Sequence, residues 1–345
     1  MADTLRFAVL GVGRIGSIHA RNLAQRSGLH GGSEAQRSGV TLAYVSDPNA
    51  AAADAIAAEL GAKAVGLDEA IGSSDVDAVV ICTPTDTHAE LAERAAAAGK
   101  AVFCEKPLDM DSARIRRLLE NVAQAGTPLM IGFNRRFDPS FAALKRRLDS
   151  GEIGEVELVT VLSRDPAPPP LEYIKRSGGL FRDMMIHDFD MARFLLGEEP
   201  VSVYATASAL VDPAIGAAGD VDTAVCVLRT ASGRLAQISN SRRAAYGYDQ
   251  RVEVHGASGM LAAGNRTATT VTAATAQGYA TDPALHFFLE RYAEAYRNEI
   301  DSFINALATG IAPSPSGMDG LRAQILADAA TESARTGLAV ALPAA

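Results

Sequence analysis

The segment 177–197 contains the residues with the clearest capacity for chemistry. After its glycines, "SGGLFRDMMIHDFDMARFLLG" reads as an amphipathic helix in which Asp183, His187 and Asp190 are four and then three residues apart. A helix places such residues on one face. A neutral imidazole can take a hydroxyl proton as a general base, and a carboxylate one turn away can fix its tautomer and stabilise the imidazolium. The spacing therefore predicts a base, His187, oriented by Asp183.

Two other interpretations of the same face remain open. A neighbouring carboxylate could simply satisfy a structural histidine. Alternatively, Asp183, His187, Asp188 and Asp190 are all possible metal ligands. Asp188 projects off the shared face, however, and no other histidine or cysteine spacing in the chain supports a metal. We therefore predict no metal.

A second motif lies near the N-terminus. Gly11, Gly13 and Gly16 in "RFAVLGVGRIGSIHARNLA" form a G-x-G-x-x-G pattern that follows a strand-like run and opens a helical one, as a dinucleotide fingerprint requires. The first glycine allows the tight turn, the second lets the backbone approach a pyrophosphate, and the third lets helix and strand pack closely. Free N–H groups at the start of the helix attract the anion.

An acidic residue should follow at the end of the second strand, about 20 residues on. Asp47 occupies that place but lies 31 positions after Gly16. The tetrapeptide QRSG occurs at 25–28 and again at 36–39, so removing one eleven-residue copy restores the usual spacing. We interpret residues 29–39 as a surface loop insertion, either a partner-binding loop or a tolerated duplication.

Asp47 also bears on the choice of cofactor. A carboxylate there accepts hydrogen bonds from both ribose hydroxyls and repels a 2′-phosphate. The next residues, Pro48 and Asn49, offer no cation to that phosphate. The sequence therefore favours NAD over NADP.

Strand-like and helical patterns alternate through the first 130 residues, which predicts βαβ units and a doubly wound parallel sheet of the Rossmann type. Ligands bind such sheets at the carboxyl ends of their strands. Three polar clusters follow strand-like runs: "TP" at 83–84, "EKP" at 105–107 and "NRR" at 134–136. We expect the chemistry of residues 1–130 to lie there.

The pattern differs over residues 131–345. Several strand-like segments follow one another with short turns, and helices appear at about 283–309 and 317–336. This predicts an α+β second domain with a large, mostly antiparallel open sheet that carries helices on one face. The last helix is a candidate to pack back on the first domain. The free face of the sheet must be covered, most simply by another subunit.

Bulk properties exclude several classes of protein. The net charge of −9, without a polybasic run, argues against nucleic acid or an anionic membrane as a partner. The sequence contains no stretch of 18 consecutive apolar residues and therefore predicts no membrane span. The N-terminus lacks the pattern of a signal peptide. Three cysteines without a CxxC spacing predict buried reduced thiols and a cytoplasmic protein.

The sequence resembles the glucose–fructose oxidoreductase/inositol dehydrogenase/MocA family of NAD(P)-dependent sugar and polyol dehydrogenases over nearly its whole length. The resemblance is carried by "GVGRIG", "CTPTDTHAELAERAAAAGKAVFCEKPL", "GFNRRFD" and "GGLFRDMMIHDFDMARFLLG". "SRDPAPPP", "AGDVDTAV" and "SNSRRAAYGYDQRVEVHG" are similar to the branch that oxidises myo-inositol to 2-keto-myo-inositol with NAD. The insertion at 29–39 departs from the family. The resemblance also implies a homotetramer.

It further implies that Lys106, Asp183 and His187 form the catalytic set, in which a lysine ammonium holds the hydroxyl and stabilises the developing alkoxide. His88 is placed near the nicotinamide, although it could simply cap a helix. The residues expected to bind the cofactor are Gly11, Gly13, Arg14, Ile15, Gly16, Asp47, Thr83, Pro84, His88, Glu105 and Lys106. Those expected to bind the polyol are Lys106, Asn134, Arg135, Asp165, Asp183, His187, Asp190 and Tyr248.

Three alternatives within the resemblance stay open. One is a dehydrogenase for another polyol or aldose, such as scyllo- or D-chiro-inositol or glucose. Another is an NAD-dependent glycosidase that oxidises its substrate transiently. The third, a non-catalytic dinucleotide-binding regulator, is disfavoured because a regulator needs no base and no orienting carboxylate.

Overall fold

A computed structural model describes residues 4–26 and 39–342. The predicted insertion at 29–39 lies, except for Gly39, outside the described residues. The chain divides into two compact units: Met1–Asn134 with Tyr296–Arg322, and Arg135–Ala295 with Ala323–Ala345. The predicted functional division near residue 130 stays a prediction.

The first unit is built on a six-stranded parallel sheet. Its strands are β1 Leu5–Leu10, β2 Val40–Ser46, β3 Lys63–Ala64, β4 Ala78–Ile81, β5 Ala101–Glu105 and β6 Leu129–Gly132. Their spatial order is β3-β2-β1-β4-β5-β6, which is the doubly wound order. The central strand β4 is buried along its whole length, as its continuous apolar run requires.

Helices connect these strands and end where local chemistry stops them. In the helix Ser112–Ala125 (α5), for example, the Asp111 side chain accepts a hydrogen bond from the Ala113 N–H at the start, and Gly126 closes the helix with φ +68°. The helices are α1 Arg14–Arg26, α2 Ala50–Leu60, α3 Leu67–Gly72, α4 His88–Ala97 and α5 Ser112–Ala125. Two later helices, α12 Ala293–Thr309 and α13 Gly317–Thr336, contribute residues to both units.

The second unit contains a seven-stranded sheet. Its strands are β7 Val156–Arg164, β8 Pro200–Ser208, β9 Thr223–Thr230, β10 Leu235–Ser241, β11 Asp249–Gly256, β12 Gly259–Ala263 and β15 Val340–Ala341. Among these strands only β7 and β10 pair in parallel, so the prediction of a mostly antiparallel sheet is confirmed. A separate hairpin consists of β13 Thr272–Thr275 and β14 Gly278–Thr281.

One face of this sheet is covered and the other is open. In β9, Ala224, Cys226 and Leu228 are buried, whereas Val225 and Val227 are exposed. A strand whose residues alternate in this way has one face in a core. The unit's helices are α6 Pro139–Asp149, α7 Leu171–Ser177, α8 Gly179–Asp183, α9 Ile186–Leu196, α10 Pro213–Ala217 and α11 Phe288–Arg291; α9 packs on β7 and β10.

The prediction of one continuous helix after the glycines was wrong. α8 ends at Asp183 and α9 begins at Ile186. The Met185 N–H bonds to the Leu180 carbonyl, five residues back, rather than four as in an α-helix. The apolar pattern runs through both methionines, so periodicity does not reveal the break.

None of the helices formed by residues 4–26 and 39–342 has the length and apolar character needed to cross a membrane.

Candidate active site

The glycine loop between β1 and α1 has the shape that its sequence predicts. Gly11 has φ +85°, and a Cβ on it would lie 2.8 Å from the Cys82 main chain. A Cβ on Gly16 would lie 1.8 Å from the Gly11 carbonyl oxygen. Around Gly13, by contrast, a Cβ would meet nothing within 4 Å. The loop therefore needs glycine at two positions for its own packing and leaves room at the third, which fits a dinucleotide pyrophosphate.

Asp47 follows β2 and holds this loop. Its Oδ2 accepts a hydrogen bond from the Val12 N–H, and its Oδ1 accepts one from the Asn49 N–H, both at 2.8 Å. A carboxylate oxygen has two lone pairs, so each oxygen can still accept a ribose hydroxyl. The same bonds that fix the loop thus orient the carboxylate expected to select NAD.

His88 joins the ends of two strands. It begins α4 and is buried; its Nδ1 lies 2.7 Å from the Pro107 carbonyl oxygen and its Nε2 lies 2.7 Å from the Thr83 carbonyl oxygen. The ring therefore ties the segment after β4 to the segment after β5. The Thr87 hydroxyl bonds to the Thr83 side chain at 2.7 Å. The cofactor role of His88 stays a prediction.

Glu105 and Lys106 occupy the carboxyl end of β5. His19 donates from Nε2 to Glu105 Oε1 at 2.8 Å, and the Lys106 side chain follows, half-buried. Glu105 rests against Gly132, where a Cβ would lie 3.0 Å from Oε2. The residue before the expected catalytic lysine is thus fixed from two sides.

In the second unit, Asp183 is held by two partners. Its Oδ1 accepts a hydrogen bond from the Tyr173 hydroxyl at 2.8 Å, and its Oδ2 accepts one from Arg242 Nη2 at 3.3 Å. Arg242 is buried, and its Nη1 lies 4.0 Å from Asp165 Oδ2. His187 lies in the first turn of α9 and is half-buried. Asp183, Asp165 and Arg242 therefore form one charged cluster.

Asp165 is the member of that cluster whose pKa is shifted by its surroundings. Burial raises the pKa of its carboxyl to about 6; Arg242 opposes this shift, and the negative charge of Asp183 adds to it. Two carboxylates that share one guanidinium are expected to behave in this way.

We expect the free energy of unfolding of the natural protein to fall, relative to that of Asp165→Asn, as the pH rises through about 6. A carboxyl whose pKa is raised by folding stabilises the fold fully below its ordinary pKa of 3.8 and loses that contribution as the pH passes about 6. Thermal unfolding between pH 4 and 7 measures the difference in Tm. A difference that stays constant over this range would show that Asp165 does not titrate there.

Arg135 is buried in a network beneath α9. Its guanidinium donates to Asp188 and, at 2.9 Å, to the Ser163 hydroxyl. Asp188 Oδ2 also accepts from Asn240 Nδ2 at 2.8 Å, and Oδ1 accepts from Ser163 at 2.6 Å. Asp188, considered above as a metal ligand, is therefore engaged by three donors, two of which, Ser163 in β7 and Asn240 in β10, anchor α9 to the sheet.

Asp190 is similarly engaged. It accepts two hydrogen bonds from Arg136, at 2.8 and 2.6 Å, and Arg193 Nη1 lies 3.6 Å from Oδ1.

Tyr248 is also buried, with its ring edge against Tyr292, and burial raises the pKa of its hydroxyl well above 10. The predicted contacts of Arg135, Asp190 and Tyr248 with a polyol stay predictions.

Two family models match the chain. Residues 5–133 match the oxidoreductase family with an NAD-binding Rossmann fold, and residues 141–262 match the GFO/IDH/MocA C-terminal domain. The chain belongs to the Gfo/Idh/MocA oxidoreductase family. The predicted family, fold class and NAD cofactor are confirmed.

Individual relatives are similar over almost the whole of this Gfo/Idh/MocA chain. Inositol 2-dehydrogenase of Rhizobium meliloti is 56% identical and covers 96% of this chain and 97% of its own. The crystal structure of a myo-inositol dehydrogenase from Corynebacterium glutamicum is 43% identical, with a TM-score of 0.92 and coverage of 99% and 100%. A scyllo-inositol dehydrogenase from Lactobacillus casei, solved with NAD(H) and scyllo-inositol, is 31% identical, with a TM-score of 0.89 and coverage of 98% and 99%.

Sequence reasoning missed several residues of this Gfo/Idh/MocA protein that shape the site. Arg242 and Tyr173 fix Asp183, and Ser163 and Asn240 fix Asp188. Arg242 lies within "SNSRRAAYGYDQ", which the resemblance had already singled out, but nothing local shows which of its two arginines turns inward.

Proposed function

We propose that this NAD-dependent oxidoreductase oxidises the axial hydroxyl of myo-inositol to 2-keto-myo-inositol. The observation that carries the proposal is the 56% identity, over 96% of the chain, to an inositol 2-dehydrogenase. Family membership alone gives an oxidoreductase with an NAD-binding Rossmann fold and does not specify a substrate. The substrate is inferred because this 56% identity to an inositol 2-dehydrogenase extends over both units of the chain.

The residues have distinct roles in this proposal. The glycine loop and Asp47 would hold NAD, which would supply the acceptor for the hydride of the carbinol carbon. His187 takes the hydroxyl proton at an imidazole nitrogen. The ammonium group of Lys106 donates a hydrogen bond to the hydroxyl oxygen and stabilises the negative charge that develops there.

Asp183 is proposed to favour the imidazolium form of His187 by its charge and to accept a hydrogen bond from the polyol. Two donors, Tyr173 and Arg242, hold its carboxylate. A carboxylate fixed in this way needs little reorganisation when charge develops.

The remaining polyol contacts are proposed for Asn134, Asp165 and Tyr248. Arg135 and Asp190 already donate to or accept from buried partners. For these two residues we infer that positioning α9, and with it His187, is the larger contribution.

We further propose that the protein is a cytoplasmic homotetramer in which the open sheet face is covered by another copy. The exposed side chains on that face include Tyr204, Val225, Val227 and Leu235. Alternating buried and exposed apolar residues on one strand are typical of a surface that a partner covers.

Asp47 supplies a test of the cofactor preference. We expect Asp47→Ser to weaken NAD binding by about tenfold to a hundredfold, because hydrogen bonds to a charged group contribute about 1.5–3 kcal/mol, and to reduce the preference for NAD over NADP. Kd values for both cofactors measure this effect. Asp54→Ser removes an exposed carboxylate from α2 and serves as the matched control. An unchanged ratio of the two Kd values in Asp47→Ser would contradict the assignment.

NADH formation, followed by absorbance, tests the proposed substrate. We expect the highest kcat/KM with myo-inositol and NAD, and lower values with D-chiro-inositol, glucose and NADP. A higher kcat/KM with scyllo-inositol would favour the activity named for the Lactobacillus casei relative. Turnover of a glycoside without net NADH would indicate the glycosidase, and NAD binding without any turnover would indicate the regulator.

A further inference from the structure

Three titratable side chains meet inside the first unit, beside the end of β5 that precedes Lys106. His19 comes from α1, Glu105 from the end of β5 and Glu299 from α12. Their candidate ligand atoms all lie within 4.8 Å of one another. The side chains of His19 and Glu299 are 0% exposed, and that of Glu105 is 13% exposed.

The bonding within this cluster is asymmetric. His19 Nε2 donates to Glu105 Oε1 at 2.8 Å, while Glu299 Oε1 lies 3.7 Å from the same nitrogen. Neither oxygen of Glu299 has a hydrogen-bond partner among the described residues. An ionised carboxylate in such a place would lack the compensation that buried charges require. This geometry favours the neutral carboxylic acid form of Glu299.

The surroundings of Glu299 support this protonation state. Burial raises the pKa of Glu299 well above 4.5, and the charge of Glu105 raises it further. The groups that face it are His19 from α1, Glu105 from β5 and the Cys82 thiol after β4, whose pKa is itself raised by burial and by the two glutamates. Within α12, Tyr296 packs edge-on against His19.

The same three donors could in principle bind a divalent cation. The 2.8 Å contact between His19 and Glu105 is a hydrogen bond, however, and it needs the proton on the nitrogen that a metal would occupy. The hydrogen-bonded arrangement and a metal site are therefore mutually exclusive, and elemental analysis of the purified protein distinguishes them.

We propose that His19 and Glu299 are positioning residues that hold the Glu105 carboxylate and thereby fix the end of β5 at Lys106. Glu105 is clamped between His19 on one side and Gly132 on the other. The neutral acid of Glu299 fills the remaining space beside the imidazole without a second negative charge. The part of the inference that concerns Lys106 rests on the proposed function.

Protein stability tests the protonation state without any activity. A raised pKa means that Glu299 stabilises the fold fully below 4.5 and loses this contribution as the pH rises toward its folded-state value. Glu299→Gln imitates the neutral acid and cannot ionise. We expect the Tm of Glu299→Gln minus the Tm of the natural protein to increase as the pH rises from 5 to 9. A constant difference, or a stoichiometric metal ion in the purified protein by elemental analysis, would overturn the proposal.

Activity tests the positioning role. His19→Gln keeps a donor for Glu105, whereas His19→Phe keeps only a ring against Phe103. We expect His19→Phe to lower kcat about tenfold with the KM for NAD changed less than twofold, and His19→Gln to restore kcat to within about threefold of the natural protein. If His19 served only to pack against its neighbours, His19→Phe would keep a higher kcat than His19→Gln, and this result would overturn the proposal.

Phe303→Leu serves as the control, because it loosens the same core against Phe7 and Phe103. It is expected to lower Tm at every pH and to leave kcat unchanged. If the natural protein reduced NAD with none of the inositols, the proposed function would be refuted. The comparison of Tm values would still decide the protonation state of Glu299.

Discussion

Replacement of His187 by glutamine is expected to lower kcat about a thousandfold, within the range that a general base contributes. Glutamine keeps a hydrogen-bonding group of similar reach but cannot take the hydroxyl proton. The Kd for NAD should change by less than about twofold, because the glycine loop and Asp47 lie in the first unit. Steady-state kinetics and a binding titration measure the two quantities.

His255→Gln is the matched control, since this imidazole is exposed and pairs with Glu157 at 3.3 Å. It should retain the kcat of the natural protein. If His187→Gln kept kcat within tenfold of the natural value, proton transfer to His187 would not be part of the rate-limiting chemistry, and the proposed base would have to be abandoned.

Replacement of Arg135 by methionine is expected to destabilise the protein by about 3–5 kcal/mol, because it leaves a buried carboxylate without its cation. Asp188 is 0% exposed and would keep only the neutral donors Ser163 and Asn240. Denaturant unfolding measures this loss.

The double variant Arg135→Met with Asp188→Asn should recover most of that stability, since it removes both charges together. It also tests the predicted contact between Arg135 and the polyol. If Arg135 binds substrate, the KM for myo-inositol stays high after stability has recovered. If its role is to anchor α9, the KM returns toward the natural value. A single variant as stable as the natural protein would contradict the role of the ion pair.

Features determined by local sequence were predictable. In the glycine loop, Gly11 and Gly16 each have the steric reason that the spacing indicates, and Gly13 leaves the open space expected beside a pyrophosphate. The doubly wound sheet follows from the alternation of elements. Asp47 was found because the repeated QRSG explained its unusual spacing.

Features that depend on distant partners were not predictable. Asp183 is held by Arg242, 59 positions away, and Asp188 contacts Arg135 and Asn240 at separations of 53 and 52. A single sequence gives no sign of which charged residues meet. The break between α8 and α9 was also not predicted, because Met184 and Met185 are residues with a high helix propensity and give no sign of an interruption.

The most direct test of the proposed reaction is to supply myo-inositol carrying deuterium at C2 and to measure the isotope in the NADH formed. Direct hydride transfer from that carbon predicts one deuterium per molecule of NADH by mass spectrometry. NADH formed without deuterium would mean that another carbon is oxidised, and no NADH at all would contradict the proposed dehydrogenase.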